Sequence, residues 1–491
     1  MTAKNQVGIK SITIGLLAAL TVSSIAVRDT SSSTGTVLFG GKQLDAKIIN
    51  QYDYCQAPYP DPDTYTPLSN SKLVFVQTVT RHGTRTPSFF VPNNKAVYND
   101  CGDSLNHLYE DNVHGDEVSG TVTQSTYSSK SGPKGFGYAY WQGNCFSGQL
   151  VNFGKKQQYD LGSVMRKIYV DKLGYLSKTL AKNSTGSIYV RTSNIPRTTD
   201  SAINFLGGLY PPQFREQGAV VKTGYVPSEQ EYMYFNPAAC PNISKLFATI
   251  MGSEQYQQYF NKTVPDLNRF INILGVPASN TAFSTQWGNA FDAAMAPLCM
   301  NKPLPCNKNG TCLTAADAKL GLENFYQEHL SLRRDNSQFA NLYKLGEAPM
   351  LDDLISNIKE AIEFDEKNTN PALSRPFSLY SAHDETIVYI LAALNASNED
   401  MLPPPYTSSI VTEVWKDLST CEYKVRIIYN GRILKVGGAR GATSSLPVTI
   451  QQTVATATNP AWCDFNGCSL DKYMAYLSQY ITNNTQALCT Q

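Results

Sequence analysis

The segment Arg81–Pro87 contains the residue types best suited to chemistry in this chain. It places His82 directly after Arg81 and shortly before Arg85. A neutral imidazole nitrogen is a nucleophile, and the planar guanidinium groups of arginine bind the oxygens of a phosphate. The segment therefore predicts a site at which a histidine attacks phosphorus. The alternative interpretation is a basic surface loop that follows a strand.

Three short apolar segments are each followed by a polar turn and then by a helical pattern. They cover residues 73–79, 187–191 and 377–380. In an open α/β sheet, ligands bind at the carboxyl ends of the parallel strands, where helix N-termini direct backbone N–H groups at anions. We therefore expect the three turns to converge and to gather six side chains: Arg81, His82, Arg85, Arg197, His383 and Asp384. A solvated or structural pair is the alternative interpretation of Arg191 and Arg197.

The overall composition is typical of a globular protein with a large core. The chain has 491 residues, of which 42% are hydrophobic and 16% are charged, and its length predicts two or three domains. The formal net charge is +1, so no overall field favours nucleic acid or an acidic membrane. We therefore expect no nucleic-acid partner, and an anionic substrate must be recognised by locally concentrated arginines.

The N-terminus has the pattern of an export signal. Lys4 and Lys10 precede the apolar stretch Ile12–Leu20, and Ser24–Ala26 supplies small residues for cleavage. The apolar segment is short for a membrane-spanning helix. We predict a signal peptide over residues 1–26 and a protein that is secreted or held in the lumen of the secretory pathway. An uncleaved anchor is the alternative, and only in that case would the protein associate with a membrane.

Eleven cysteines predict disulfide bonds and an oxidising compartment. The odd number leaves one unpaired, and zinc is a poor alternative because the chain has no Cys-x-x-Cys pair and only five histidines. We expect Cys463 to bond Cys468, and two among Cys299, Cys306 and Cys312 to bond each other, but spacing does not determine the connectivity. Six glycosylation sequences agree with export: Asn183, Asn242, Asn261, Asn309, Asn395 and Asn483.

Several motifs resemble those of the histidine acid phosphatases, the second branch of the histidine phosphatase superfamily. Residues 81–87 match its Arg-His-Gly-x-Arg-x-Pro signature, and residues 381–384 match its His-Asp element. Residues 188–198 resemble its Arg-Ser-Thr-x-x-x-Arg-Thr segment. The stretches 148–154 and 402–406 are similar to other shared segments. The scaffold looks most like that of the lysophosphatidic acid and phosphoxylose phosphatases.

The resemblance implies a mechanism that needs neither a metal nor a cofactor. His82 would be the nucleophile and would form a phosphohistidine that water then hydrolyses. Asp384 would protonate the leaving oxygen. Four side chains would bind the phosphoryl oxygens: Arg81, Arg85, Arg197 and His383.

The resemblance also implies a phosphoglycerate-mutase-like, three-layer α/β domain with a smaller, mostly helical cap domain. The α/β catalytic domain would be discontinuous, because the cap is inserted into it. The predicted division is a signal peptide or anchor at 1–26, an N-terminal arm at 27–71, the catalytic domain at 72–209 and 373–455, the cap at 210–372 and a cysteine-containing tail at 456–491.

Two patterns describe the predicted cap. Apolar residues recur at helical spacing at Leu351, Leu354, Ile355, Ile358 and Ile362, which predicts a helix with one buried face. Four aromatic residues are expected in the cap core and not on a substrate platform: Tyr256, Tyr259, Phe260 and Trp287. Three histidines without motif context are expected to be ordinary polar positions: His107, His114 and His329.

The residue after Asp384 departs from the family pattern. Glu385 stands where the acid phosphatases more often have Thr or Asn, and the related inositol polyphosphate phosphatases place their acid two positions after the histidine. Both carboxylates are therefore candidate acids. We favour Asp384 because adjacent residues along a turn rarely point the same way. If both face the pocket, their repulsion raises one pKa and weakens the binding of highly phosphorylated substrates.

Together these features predict a metal-independent acid phosphatase that hydrolyses small phosphate monoesters. An inositol polyphosphate phosphatase is the alternative enzyme, although the His-Asp-Asn ending of the phytases is absent. A secreted phosphate- or lipid-binding pseudoenzyme is the alternative of another class, and it would require loss of the nucleophile or the acid. The leaving group (lipid, sugar, inositol or nucleotide) and the oligomeric state stay open.

Overall fold

The computed structural model of the chain describes residues 36–102, 105–110, 121–126, 141–367, 375–438, 460–482 and 484–490. The predicted signal peptide at 1–26 lies outside these residues, so its prediction is not tested. Within the described residues, no helix has both the length and the apolar character needed to cross a membrane.

Strands and helices are interspersed along the chain, with a run of helices alone between residues 242 and 367. The strands are β1 (Thr36–Phe39), β2 (Lys42–Asp45), β3 (Ser71–Arg81), β4 (Leu105–Glu110), β5 (Thr121–Thr126), β6 (Ile188–Thr192), β7 (Thr223–Gly224), β8 (Phe377–Ala382), β9 (Ser409–Asp417), β10 (Tyr423–Tyr429), β11 (Arg432–Ile433) and β12 (Cys468–Ser469). The helices are α1 (Ala46–Gln51), α2 (Asn152–Arg166), α3 (Pro196–Leu209), α4 (Asn242–Met251), α5 (Glu254–Leu274), α6 (Thr281–Ser284), α7 (Gly288–Cys299), α8 (Ala315–His329), α9 (Phe339–Gly346), α10 (Ala348–Lys367), α11 (Asp384–Ala393), α12 (Leu470–Ser478) and α13 (Thr485–Thr490). Short π-helical turns continue α2 and α8.

The central sheet brings the three predicted strands together as neighbours. Its strand order is β11-β10-β9-β3-β8-β6-β7, with β12 paired to β10. Strands β3, β8 and β6 are parallel, whereas β9 runs antiparallel to β3. In the register Arg81 lies opposite Ala382, and Thr192 lies opposite Ser381. The three polar turns therefore begin side by side at the carboxyl edge of the sheet.

Helices cover both faces of this sheet, as a three-layer α/β fold requires. On one face Phe205 of α3 and Met165 of α2 pack with Phe377 of β8. On the other face Ile387 of α11 packs with Tyr380 of β8. The expected mixed α/β class with a central sheet is confirmed.

The helices from α4 to α10 build most of the region predicted as a cap. Tyr256 and Trp287 are buried in the shared hydrophobic core, and Tyr259 and Phe260 pack partly buried against it, which confirms their predicted place in the core. The predicted amphipathic helix is α10, whose apolar face is buried except for the half-buried Ile362.

Helix α10 also contacts the sheet directly. The Asn357 side chain donates to the hydroxyl of Tyr380, 2.5 Å away, and Lys72 pairs with Asp365 at 2.7 Å. One helix of the predicted cap thus forms part of the layer that covers the sheet. The boundary at residue 372 stays a prediction.

Five disulfide bonds join parts of the chain that are near and far apart in sequence. They are Cys55–Cys299, Cys101–Cys145, Cys240–Cys489, Cys306–Cys312 and Cys463–Cys468. The two predicted local bonds are confirmed, and Cys421 is the exposed unpaired residue. Cys299 bonds the N-terminal arm instead of a cysteine near it in sequence, because folding places Cys55 beside the end of α7.

One of the predicted glycosylation sites is not available in the folded protein. Asn395 is fully buried, and its side-chain amide donates to the carbonyl oxygen of Gly438 at 2.7 Å. Asn183, Asn261 and Asn309 are exposed, whereas Asn483 lies outside the described residues. The glycosylation sequence at Asn395 is therefore inaccessible in the folded protein, since a sequence pattern does not report burial.

Candidate active site

The turns that follow β3, β6 and β8 meet at the carboxyl edge of the sheet. The rings of His82 and His383 lie 5.7 Å apart, and Arg81 Nη2 lies 3.0 Å from an Asp384 carboxylate oxygen. Arg197 occupies the first turn of α3. Burial and then the charge of Arg197 lower the pKa of His82, which requires the two side chains to be near each other. Residues about 300 positions apart thus share one pocket.

One ring nitrogen of His82 forms a hydrogen bond, and the other is available to attack a substrate. Its Nδ1 lies 2.8 Å from the carbonyl oxygen of Gly83. A carbonyl oxygen only accepts hydrogen bonds, so Nδ1 carries the proton and Nε2 carries the lone pair. Burial, followed by the charges of Arg197 and Arg81, lowers the pKa of His82 well below its usual value. The imidazole is therefore neutral, as a nucleophile must be.

The glycine after His82 allows the turn to approach helix α2 closely. A Cβ atom at Gly83 would lie 2.2 Å from the carbonyl oxygen of Gly154, at the start of that helix. No side chain fits this space, because non-bonded atoms do not approach that closely. Gly83 of the first motif and Gly154 of the 148–154 motif thus contact each other directly.

Arg81 is fully buried and bonded on several sides. Its Nη2 also donates to the hydroxyl of Tyr54 at 2.9 Å, and Nη1 donates to the Pro404 carbonyl at 2.5 Å. The guanidinium carbon lies 4.3 Å from the ring centre of Tyr406 and 5.0 Å from that of Tyr54. Aromatic faces stabilise a cation in this position. Neither tyrosine was among the predicted site residues.

Arg85 is paired with a carboxylate that the sequence motifs do not indicate. Its Nη1 lies 2.9 Å from one oxygen of Asp292, on α7, and donates to the carbonyl of Thr86 at 3.0 Å. The other oxygen of Asp292 accepts from the backbone N–H of Ser88 at 2.7 Å. A residue of the helical region therefore contacts a predicted phosphate-binding arginine directly.

Arg197 lacks such a carboxylate. Among the described residues none places a carboxylate within ion-pair distance of its guanidinium, and its buried Nε atom has no hydrogen-bond partner. Burial and then the neighbouring charge of Arg85 lower its pKa, although a guanidinium stays protonated near neutral pH. The pocket thus contains a cation that lacks an anion.

His383 is oriented by a serine from the neighbouring turn. Its Nε2 lies 2.8 Å from the hydroxyl oxygen of Ser193, which lies 2.9 Å from the hydroxyl of Thr198. Burial and the charge of Arg197 lower the pKa of His383 well below its usual value. Ser193 was not predicted as a site residue, and its only sequence signal was its place in the polar turn after β6.

The two candidate acids have different partners. Asp384 pairs with Arg81, whereas the half-exposed Glu385 pairs with Arg333 at 3.1 Å. Burial alone would raise the pKa of Asp384, but the charges of Arg81 and then Arg85 hold it below its usual range. Adjacent residues thus direct their carboxylates to different arginines, in agreement with the geometric reason for preferring Asp384.

Arg191 does not belong to the pocket, although it is close to Arg197 in sequence. Its guanidinium forms a buried ion pair with Glu231, with Nη2 2.9 Å from Oε1. The same carboxylate accepts from the backbone N–H of Asn194 at 3.2 Å. Of the two interpretations left open for Arg191, the structural one therefore holds.

His329 differs from its prediction as an ordinary polar position. It is buried at the end of α8, and its ring centre lies 3.8 Å from that of Phe325. Burial, then Arg333, lowers its pKa, and the carboxylate of Asp384 acts in the opposite direction. Nothing in the local sequence shows this burial.

Comparisons with known proteins agree with this arrangement. The profile described as "Histidine phosphatase superfamily (branch 2)" matches residues 72–430. Counting factor 60 of Dictyostelium discoideum is 26% identical over 398 residues, which cover 80% of this chain and 88% of that protein. Human lysophosphatidic acid phosphatase type 6 is 24% identical over 464 residues, which cover 91% and 93%. Human 2-phosphoxylose phosphatase 1 is 26% identical over 381 residues, which cover 73% and 71%.

A solved structure shares the fold. The phytase from Citrobacter braakii superposes with a TM-score of 0.50 at 16% sequence identity, and the match covers 85% of this chain and 99% of the phytase. At this identity the similarity concerns the arrangement of strands and helices and not the substrate.

Proposed function

Because this chain belongs to branch 2 of the histidine phosphatase superfamily, we propose that it is an exported acid phosphatase that works through a phosphohistidine intermediate. The chain is a phosphoric monoester hydrolase, since the family model matches it and two of its relatives are named lysophosphatidic acid phosphatase type 6 and 2-phosphoxylose phosphatase 1. One observation carries the finer proposal. His82 is buried and neutral, its Nδ1 is bonded to Gly83, and its Nε2 is left with a lone pair among arginines.

In the first step, Nε2 of His82 attacks the phosphorus of the monoester. The N–P bond forms as the P–O bond to the leaving group breaks, and the proton stays on Nδ1, which donates it in a hydrogen bond to the carbonyl oxygen of Gly83. Arg81, Arg85 and Arg197 bind the oxygens of the transferring group and stabilise its charge. Arg197 gains in this complex the anion that it lacks in the free protein.

The leaving oxygen takes a proton from Asp384. An alkoxide is a poor leaving group, so this proton must arrive as the bond breaks. Next to Arg81 the free carboxyl group has a lowered pKa and is ionised at mildly acidic pH. The proton therefore enters with the monoanionic form of the substrate, whose second pKa is about 6. This requirement favours activity below that pH.

In the second step, water hydrolyses the phosphohistidine. Asp384, now ionised, accepts a proton from the water, and inorganic phosphate leaves as Nε2 regains its lone pair. Glu385 is the less suitable base because Arg333 holds its carboxylate away from Arg81. No step requires a metal or a cofactor.

The charges around the pocket favour a substrate with a single phosphate group. Arg85 is paired with Asp292, and Arg333 is paired with Glu385. An inositol polyphosphate needs several uncompensated cations at the pocket rim. Since these arginines have carboxylate partners, we favour a monophosphate over the inositol polyphosphate alternative.

The disulfide bonds support the proposed location. Five bonds form among eleven cysteines, and such bonds persist in the lumen of the secretory pathway and outside the cell. Signal cleavage at residue 26 and glycosylation at the exposed sites belong to the same proposal.

The proposed function is tested by assaying the secreted protein and its His82→Ala variant. p-Nitrophenyl phosphate serves as substrate from pH 4 to 7 with EDTA present, and quenched reactions are analysed for protein-bound phosphate. We expect turnover and acid-labile, alkali-stable phosphate on the wild type alone, with the highest rate in acid. Comparable turnover of the variant would contradict the nucleophile assignment. A loss of activity with EDTA would contradict the metal-independent mechanism.

A further inference from the structure

The helical region contributes one charged group to the phosphate pocket. Asp292 lies on α7, about 200 residues beyond the first motif, and its side chain is mostly buried. One of its oxygens binds that motif, and the other binds the residue directly after it. One pairs with Arg85 at 2.9 Å, and the other accepts from the N–H of Ser88 at 2.7 Å.

The contact with Asp292 determines which N–H groups of Arg85 are free to bind a ligand. Nη1 of Arg85 donates to both the Asp292 carboxylate and the carbonyl oxygen of Thr86. The Nε atom of Arg85 is buried and has no partner among the described residues. A buried N–H without an acceptor is costly, so this N–H group is satisfied when a phosphoryl oxygen enters the pocket.

Helix α7 is itself held in place on both sides of Asp292. Cys299 in its last turn is bonded to Cys55 of the N-terminal arm. Phe291 packs edge-on against Tyr54, with ring centres 4.9 Å apart, and Tyr54 accepts a hydrogen bond from Arg81. The helix that presents Asp292 therefore also supports the tyrosine that orients Arg81.

We propose that Asp292 is a positioning residue for phosphate binding, which acts by holding Arg85 with its Nε edge toward the phosphoryl group. This proposal rests on the proposed function, since it assumes that phosphate binds at Arg85. In this proposal the helical region helps to bind the phosphate, in addition to any role in selecting the leaving group.

A double-mutant cycle tests the proposal with inorganic phosphate as the ligand. Titration calorimetry measures its Kd for the wild type, Asp292→Ala, Arg85→Ala and the double variant. Asp292→Ala should weaken phosphate binding about 10- to 100-fold. The same change in the Arg85→Ala background should have little further effect, because Asp292 acts through Arg85. Equal losses in both backgrounds, or an unchanged Kd, would overturn the proposal.

Two further variants separate positioning from a general loss of structure. Asp292→Asn keeps an oxygen acceptor without the charge, so its KM should lie between those of the wild type and Asp292→Ala. Glu413→Gln is the matched control, since it removes the charge from the buried pair of Glu413 with Arg426, whose atoms lie 2.6 Å apart. This control should change the melting temperature but neither Kd nor KM, and a Kd shift in the control equal to that of Asp292→Ala would also overturn the proposal.

If the wild type binds phosphate but shows no turnover, the proposed function fails while the role of Asp292 is still measured. If phosphate does not bind to the wild type, both fail. The calorimetric readout thus distinguishes the two cases.

Discussion

Two clusters of buried charged residues, one around Glu413 and one at the carboxyl edge of the sheet, differ in their hydrogen bonding. The first has a full set of hydrogen bonds, whereas the second does not. One oxygen of Glu413 accepts from the hydroxyls of Tyr65 at 2.8 Å and Tyr169 at 2.6 Å. The other accepts from the indole of Trp415 at 2.8 Å and from Nε of Arg426 at 2.7 Å. The carboxylate is therefore saturated with protein donors.

The cluster at the carboxyl edge is incomplete. Arg81, Arg85 and Arg197 each have a buried Nε atom without a partner among the described residues. Each unsatisfied donor of this kind costs about 1–3 kcal/mol. An oxyanion bound between the three arginines would accept from these donors and remove the deficit. The comparison teaches that a saturated network serves the fold, whereas donors left unpaired around a neutral histidine indicate a binding site.

After loss of the nucleophile His82, the largest effect should come from removing Asp384, the acid of the incomplete cluster. Asp384→Asn cannot donate a proton, so kcat on an alkyl phosphate should fall about 10²- to 10⁴-fold. p-Nitrophenyl phosphate has a good leaving group and should lose about 10-fold at most. Steady-state kinetics on both substrates measure this difference. An equal loss on both would reassign the acid, with Glu385 as the next candidate.

The opposite result is expected for the saturated cluster. Glu413→Gln leaves the buried charge of Arg426 without its partner, so the free energy of unfolding should fall by about 3 kcal/mol. kcat and KM on p-nitrophenyl phosphate should stay within about 2-fold of the wild type, because Glu413 contacts none of the pocket residues. Urea unfolding and kinetics provide the two measurements. A large rise in KM would remove the distinction between the clusters.

Glu347 adds a third case to the comparison of the two clusters, since its buried carboxyl group lacks a hydrogen-bond partner among the described residues and lies outside the pocket. Both of its carboxylate oxygens lack hydrogen-bond partners among the described residues, and burial raises its pKa well above the usual value. The folded protein keeps its proton while the unfolded chain releases it above pH 4.5. The wild type therefore loses stability as the pH rises through this range.

Glu347→Gln removes that loss because an amide does not ionise. The stability of the variant relative to the wild type should be near zero at pH 4 and should grow as the pH rises to 6. Urea unfolding at the two pH values measures the change, with kinetics as the control for an unaltered pocket. A gap that does not grow with pH would show that this carboxyl group ionises in the folded protein.

The sequence alone determined the elements that carry the candidate site. Each strand, polar turn and helix start is a local signal, and the rule for parallel strands predicts that their carboxyl ends meet. His82, His383 and Asp384 were placed together on these grounds, and the structure brings them together. The fold class was implied by the resemblance to the histidine acid phosphatases, which the motifs in these turns carry.

Only the tertiary structure decided which other residues complete the site. Tyr54 and Asp292 carry no local signal, because their roles depend on contacts with Arg81 and Arg85, which lie in other segments of the chain. Arg191 and Arg197 have the same charge and lie six positions apart, yet one pairs with Glu231 and the other stays without an anion. A sequence specifies residue types and local geometry, whereas the partner of a buried charge is set by packing in three dimensions.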